Sequence, residues 1–240
     1  MARMRIFNRL EEEAFESPPV FNSAERKRFF SLPLALEEPL LGLRTPTNRV
    51  CFLVVAGYFK ARHKFFSRQF RQTDIEYVAS QMGVNPAVVS IGTYGKETYA
   101  RHQRLILAHF GYRPFDGTAK TAIANEMAAL VRVQSRPKLV LLEGIQLLTR
   151  EKVVLPSYNV LADLTVAAID HHHARLLKTV NDHLSKTQRD QLDALLEKEP
   201  DNGGGEGWRY HLTLLKKANQ STQPSKIKAN LADMDTLQAL

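Results

Sequence analysis

Residues 73–113 constrain the fold more than any other stretch. Thr73 can cap a helix whose first turn carries Asp74 and Glu76, acids favoured at the positive end of a helix dipole. Ile75, Val78, Ala79 and Met82 then repeat at helical spacing. Gly83 supplies the left-handed residue on which such a helix stops, and Asn85 with Pro86 supplies a cap and first helical residue for the next. The pattern predicts two helices joined by a turn of about three residues, the spacing of a helix-turn-helix. Ala79 is expected where they cross, with Val84 and Val89 filling the space between them. A helical hairpin without a ligand has the same pattern, so DNA binding and simple packing both fit. The expected second helix, residues 86–91, is short and uncharged, with Asn85, Ser90 and Tyr94 as its polar contacts. Charge arrives one helix later. Lys96 precedes Glu97, and Arg101 and Arg104 then share a face opposite Ile106 and Phe110.

The formal net charge of the 240 residues is +8, and its placement is informative. Residues 40–113 hold eleven lysines and arginines against Asp74, Glu76 and Glu97 alone, so the whole excess lies there. A localised excess beside a helix-turn-helix pattern points to a polyanion, and to nucleic acid first. A solvated basic surface is the plain alternative.

Cys51 is the single cysteine, which precludes an internal disulfide and fits a reducing, cytoplasmic setting. It lies in the apolar run 50–59, about half the length that spans a bilayer. That run predicts a buried helix beginning at Thr47, with Asn48 and Arg49 on its first turn. An arginine there opposes the helix dipole, which suggests another use for it. The first residues lack the apolar centre of a signal peptide, so no export is expected.

Elsewhere the periodicity is helical. Residues 4–15 are amphipathic up to Ser17-Pro18-Pro19, and Ser23 is expected to cap a helix with Arg26, Lys27 and Arg28 in water and Phe29 and Phe30 inward. Pro33 and Pro39 interrupt the chain between that helix and the buried one. Residues 60–71 interleave bases with Phe65, Phe66 and Phe70, read as aromatics inward and bases outward. Helices are expected over 118–133, 139–148, 157–184 and 186–197. The connection before Ser157 carries Arg150 and Lys152, giving a second helix, turn, helix unit. Ser157, Tyr158 and Asn159 stand at a helix N-terminus that would suit phosphate. Residues 201–207 read as a joint and the rest as a partial helical tail. No strand-type alternation of any length appears, so the fold class is all-α. Two tandem helical modules are expected, at 1–116 and 117–200, with a tail at 201–240.

No catalytic or metal site is expected, and no cofactor. His171, His172 and His173 diverge by about 100° per residue on a helix and cannot converge on one ion. Asp163 and Asp170 share a face with no third ligand, and no nucleophile, base and acid set has supporting context.

Several segments taken in order resemble the N-terminal region of the Tn-three family of bacterial replicative transposases. They are TNRVCFLVV from Thr47, DIEYVASQMGV from Asp74, YGKETYARHQRLILAHFGYRPF from Tyr94 and REKVVLPSYNVLADL from Arg150. The likeness runs from about residue 20 to the end. It implies a helical region that binds the terminal inverted repeats of a transposon as double-stranded DNA, through successive helix-turn-helix-like modules. It also implies that the Mg²⁺-binding catalytic triad of such enzymes lies downstream of these residues. Self-association is then a property of the longer protein, and no membrane partner is expected. By position, the resemblance marks Asn48, Arg49, Arg101 and Arg104 in the first module. In the second it marks Arg150, Lys152, Ser157 and Tyr158. Asn85, Ser90 and Lys96 join them from the local pattern. A free-standing dimeric regulator, a helical protein-interaction scaffold and a nuclease are the competing readings.

Overall fold

The computed structural model describes residues 4–31, 36, 40–200, 208–210, 228 and 231. Pro33, Pro39, the joint at 201–207 and most of the tail lie outside the described residues. The fold is all-α. It divides into two compact units, Met1–His173 and Ala174–Leu240.

The first unit holds two hydrophobic cores. The first is built around α3 (Pro46–Arg62), whose residues from Val50 to Phe59 are all buried. Thr45 caps this helix through the Asn48 N–H, with Pro46 at the first helical position. The buried helix therefore starts just before Thr47, and Thr47 itself is buried. Around α3 pack α2 (Ser23–Phe29), α4 (Gln72–Gln81) and α5 (Lys96–Phe110). Gly57 lets α2 approach. A Cβ there would stand 2.3 Å from Phe30 Cδ1 and 3.2 Å from the Phe29 carbonyl oxygen. Gly57→Ala is expected to cost about 1–3 kcal/mol through overpacking, read as a lower urea midpoint with an unchanged slope.

The second core joins α6 (Gly117–Leu130), α7 (Pro137–Arg150) and the first half of α8 (Tyr158–His183). The N-terminal segment packs here too, through Phe7 and α1 (Arg9–Glu16). Capping boxes start both early helices, Asn8 with Glu11 and Asn22 with Glu25. They correct the expected starts at Met4 and Ser23, because asparagine with glutamate three residues on satisfies two free N–H groups reciprocally. A backbone seam joins the segments after α5 and α7. Arg113 N–H donates to the Lys152 carbonyl (2.9 Å), Val154 N–H to the Arg113 carbonyl (3.0 Å) and Leu155 N–H to the His63 carbonyl (2.9 Å).

The second unit takes in the rest of α8 and α9 (Lys186–Ala194), which Ser185 caps in a box with Gln188. It adds what sequence periodicity did not predict, a three-residue antiparallel pair, β1 (Lys198–Pro200) and β2 (Trp208–Tyr210), with Glu199 opposite Arg209. No helix among the described residues is long and apolar enough to cross a membrane.

Candidate nucleic-acid interface

The expected helix over 86–91 is not formed. Gly83 does take the left-handed conformation, at φ 66°. Asn85 caps through Ala87 N–H, but only a single 3₁₀ turn, Pro86–Val88, is formed before Val89 extends at ψ 103°. A second 3₁₀ turn, Ile91–Thr93, leads into α5. The physical reason is local and tertiary together. Val88, Val89, Ile91 and Gly92 are poor helix formers in a segment too short to repay nucleation. Ser90 N–H is also drawn to Thr47 Oγ1 (3.2 Å), which pins the loop to the start of α3. Thr73 likewise caps nothing. Arg71 occupies the cap position of α4, and Thr73 Oγ1 accepts from Arg26 instead (3.1 Å).

The outward helix is therefore α5. Lys96, Arg101 and Arg104 are exposed and span roughly 140° of its circumference. None makes an ion pair with another described residue. The opposite side is anchored by Ile106 and His102, both fully buried. His102 Nδ1 shares a 2.6 Å hydrogen bond with the hydroxyl of Tyr94, also fully buried, so Tyr94 is no surface contact. Gly111 ends α5 at φ 68°, and Lys152 Nζ lies 3.6 Å from where a Cβ on Gly111 would stand. A cation there complements the negative end of the helix.

His102 gives this anchor a pH dependence. Burial, with the nearby Arg101 charge second, lowers its pKa to about 4 from an ordinary 6.5. The folded state thus favours the neutral ring, and the unfolded chain takes up the proton first. Stability is full above about pH 6.5, falls as pH drops and levels off below about pH 4, a loss of about 3 kcal/mol. Urea unfolding across that range should show this slope in the wild type and not in His102→Gln.

Only part of the basic stretch is available to a partner. Arg49 Nε donates to the Leu43 carbonyl (2.8 Å), the other use its position suggested. Lys60 Nζ holds the Arg28 carbonyl (2.9 Å), and Arg68 holds that of Tyr94 (3.1 Å). Arg71 clamps the carbonyls of Pro18 and Pro19 (2.8–3.0 Å). Phe66 is buried and Phe65 and Phe70 pack inward as expected, but Lys64 departs from the outward pattern. It is buried, 2.9 Å from Glu16 and 3.9 Å from the centre of the Phe15 ring. Desolvation lowers its pKa, and Glu16 opposes that shift. Arg26 also turns inward, to Asp74.

The remaining candidates fall in two places. Asn48 and Arg49, both half-buried, stand beside Ser90 at the start of α3, while Asn85 is exposed on its own turn. Arg150, Lys152 and Ser157 are exposed around the α7–α8 connection, where Arg150 pairs weakly with Glu151 at 3.7 Å. Tyr158 drops out of the candidate surface. It is buried, stacked on Phe7, and its hydroxyl accepts from the N–H groups of Ile6 and Phe7 (3.1 and 3.0 Å). Its own N–H donates to the Glu16 carboxylate, so an anion of the chain already sits at this helix start. The expected phosphate position there is filled from within. The Tyr94–His102 pair and the approach of Lys152 to Gly111 have no local sequence signal.

The family profile described as Domain of unknown function (DUF4158) matches residues 6–168, which lie inside the first compact unit and contain its first core and all of its second but Ile169. The match covers about two-thirds of the sequence, and the chain belongs to that family.

Proposed function

We propose that this chain is the DNA-binding region of a transposase of the Tn-three type, recognising the terminal inverted repeats of its element, with no catalytic step assigned to these residues. One observation carries the reading. Lys96, Arg101 and Arg104 project from α5 without acidic partners among the described residues, while the opposite side of the helix is locked by Tyr94, His102 and Ile106. Three exposed cations on a helix anchored from behind suit a phosphate backbone. Asn48 and Ser90 at the start of α3, and Arg150 and Lys152 beyond the seam, offer further polar contacts. The order of segments that resembles those transposases supplies the target class. The reading corrects the expected geometry, because the contacting helix is α5 and not residues 86–91.

The test is fluorescence anisotropy with a duplex carrying the element's terminal repeat and a scrambled duplex of equal length, at about 0.15 M salt. A preference of about a hundredfold or more for the repeat is expected. Equal affinity for both would remove the claim of repeat recognition.

A further inference from the structure

The basic face of α5 borders a groove that the DNA reading does not use. Its volume is about 790 Å³, within the range of about 300–1,000 Å³ typical of ligand clefts. Arg104 and Gln103 stand on the α5 wall, with Phe65, Tyr112 and Phe115 among the lining rings. The far wall is the stretch Val154–Pro156, fixed by the hydrogen bonds from Val154 and Leu155 N–H. The groove is thus built on a stitched backbone and does not need to form on binding.

Its chemistry is selective. One ring contact of Phe65 is a stack on Phe59 at 4.7 Å, and Tyr112 is stacked on His63 at 5.2 Å. Phe115, half-buried against the second core, also lines the groove and makes no ring contact with another described aromatic residue. Gln103 carries an acceptor and two donor hydrogens, one of which faces the Tyr99 hydroxyl, and Arg104 carries a fork of donors. No acid among the described residues lines the groove. The cavity between α6 and α7 differs, being lined by Glu126 and Glu143, and the one beneath α1 by Glu11. Aromatic faces, an amide edge and an arginine with no opposing carboxylate match a nucleobase attached to a phosphate chain. An acidic peptide would pair its carboxylates with Arg104 as well, but it lacks the planar base that an aromatic ring beside these cations can stack.

We propose that this groove captures one nucleobase displaced from the duplex bound along α5, stacking it on Phe115 while Gln103 meets its polar edge and Arg104 its flanking phosphate. The proposal rests on the DNA-binding reading of α5 and adds to it an unpaired-base subsite. Base–aromatic stacking of ordinary strength makes such a site worth about tenfold in affinity.

Three fluorescein-labelled duplexes of one sequence test it by anisotropy: fully paired, with a single extrahelical thymidine, and with an abasic nucleotide at the same bulge. The wild type should bind the thymidine bulge about tenfold more tightly than the other two. Phe115→Leu, which keeps apolar bulk and loses the ring, should reduce that preference to less than about threefold, and Phe115→Tyr should keep it. Equal affinity for paired and bulged duplexes would overturn the subsite and leave DNA binding standing. So would an abasic bulge bound as well as the thymidine one, which would mean that bending is read and not the base. Failure to bind any of the three would overturn the subsite together with the DNA-binding reading.

Discussion

Replacing Asp74 by alanine is expected to cost the fold about 3–5 kcal/mol, a large fraction of the roughly 5–15 kcal/mol that holds a typical domain. The side chain is fully buried. Its Oδ1 accepts from Arg26 Nε and its Oδ2 from the Tyr58 hydroxyl, both at 2.8 Å. Tyr58 Oη in turn accepts from Arg71 N–H (3.1 Å), and burial raises the Tyr58 pKa. One carboxylate thus fastens α2, α3 and α4 together. Without it, a buried hydroxyl loses its acceptor and a guanidinium mostly shielded from water loses its counter-charge. Asp74→Asn keeps an acceptor for Tyr58 and should fall between wild type and alanine. Urea unfolding of the three proteins at neutral pH checks this order. Equal midpoints would mean that the triad is not a structural tie.

The second large effect concerns binding. Lys96→Ala/Arg101→Ala/Arg104→Ala should weaken duplex binding by two to three orders of magnitude at about 0.1 M salt, because each lost phosphate contact forfeits about one released counterion. The loss should be nearly the same for repeat and scrambled duplexes, since phosphate contacts carry no sequence information. Stability should change little. All three side chains are exposed, and the buried side of α5 is untouched. Anisotropy at fixed salt, with the urea midpoint as a control, separates lost affinity from lost fold.

The long apolar run made α3 legible, since the uninterrupted stretch from Val50 to Phe59 can only be buried. Gly83 marked a helix end and takes positive φ, as does Gly111 at the end of α5, which the sequence reading did not single out. Ala79 is fully buried, but not at the expected helix crossing, since residues 86–91 form no second helix. The failures share one cause. Beyond its weak local propensity, the 86–91 segment is held out of a helix by Thr47, forty-three residues away, drawing on the Ser90 N–H. Tyr158 looked like a surface residue at a helix start until Ile6 and Phe7 claimed its hydroxyl from the other end of the unit. Lys64, Arg26 and Arg71 read as solvated bases by composition, yet distant Glu16, Asp74 and the Pro18–Pro19 carbonyls hold them. A basic stretch shows that cations are present. Only the fold shows which of them already have partners, and it leaves Lys96, Arg101 and Arg104 on α5 open.

The most direct test of that distinction is the salt dependence of duplex binding in three proteins: wild type, the α5 triple variant and a charge-matched control, Lys120→Ala/Arg132→Ala/Arg136→Ala. The control residues are also exposed but lie on α6 and the segment before α7. If α5 faces the phosphate backbone, the slope of log affinity against log salt should fall by about 2.7 in the α5 variant and stay at the wild-type value in the control. Equal falls in both variants would contradict the account, because the attraction would then belong to net charge and not to this helix.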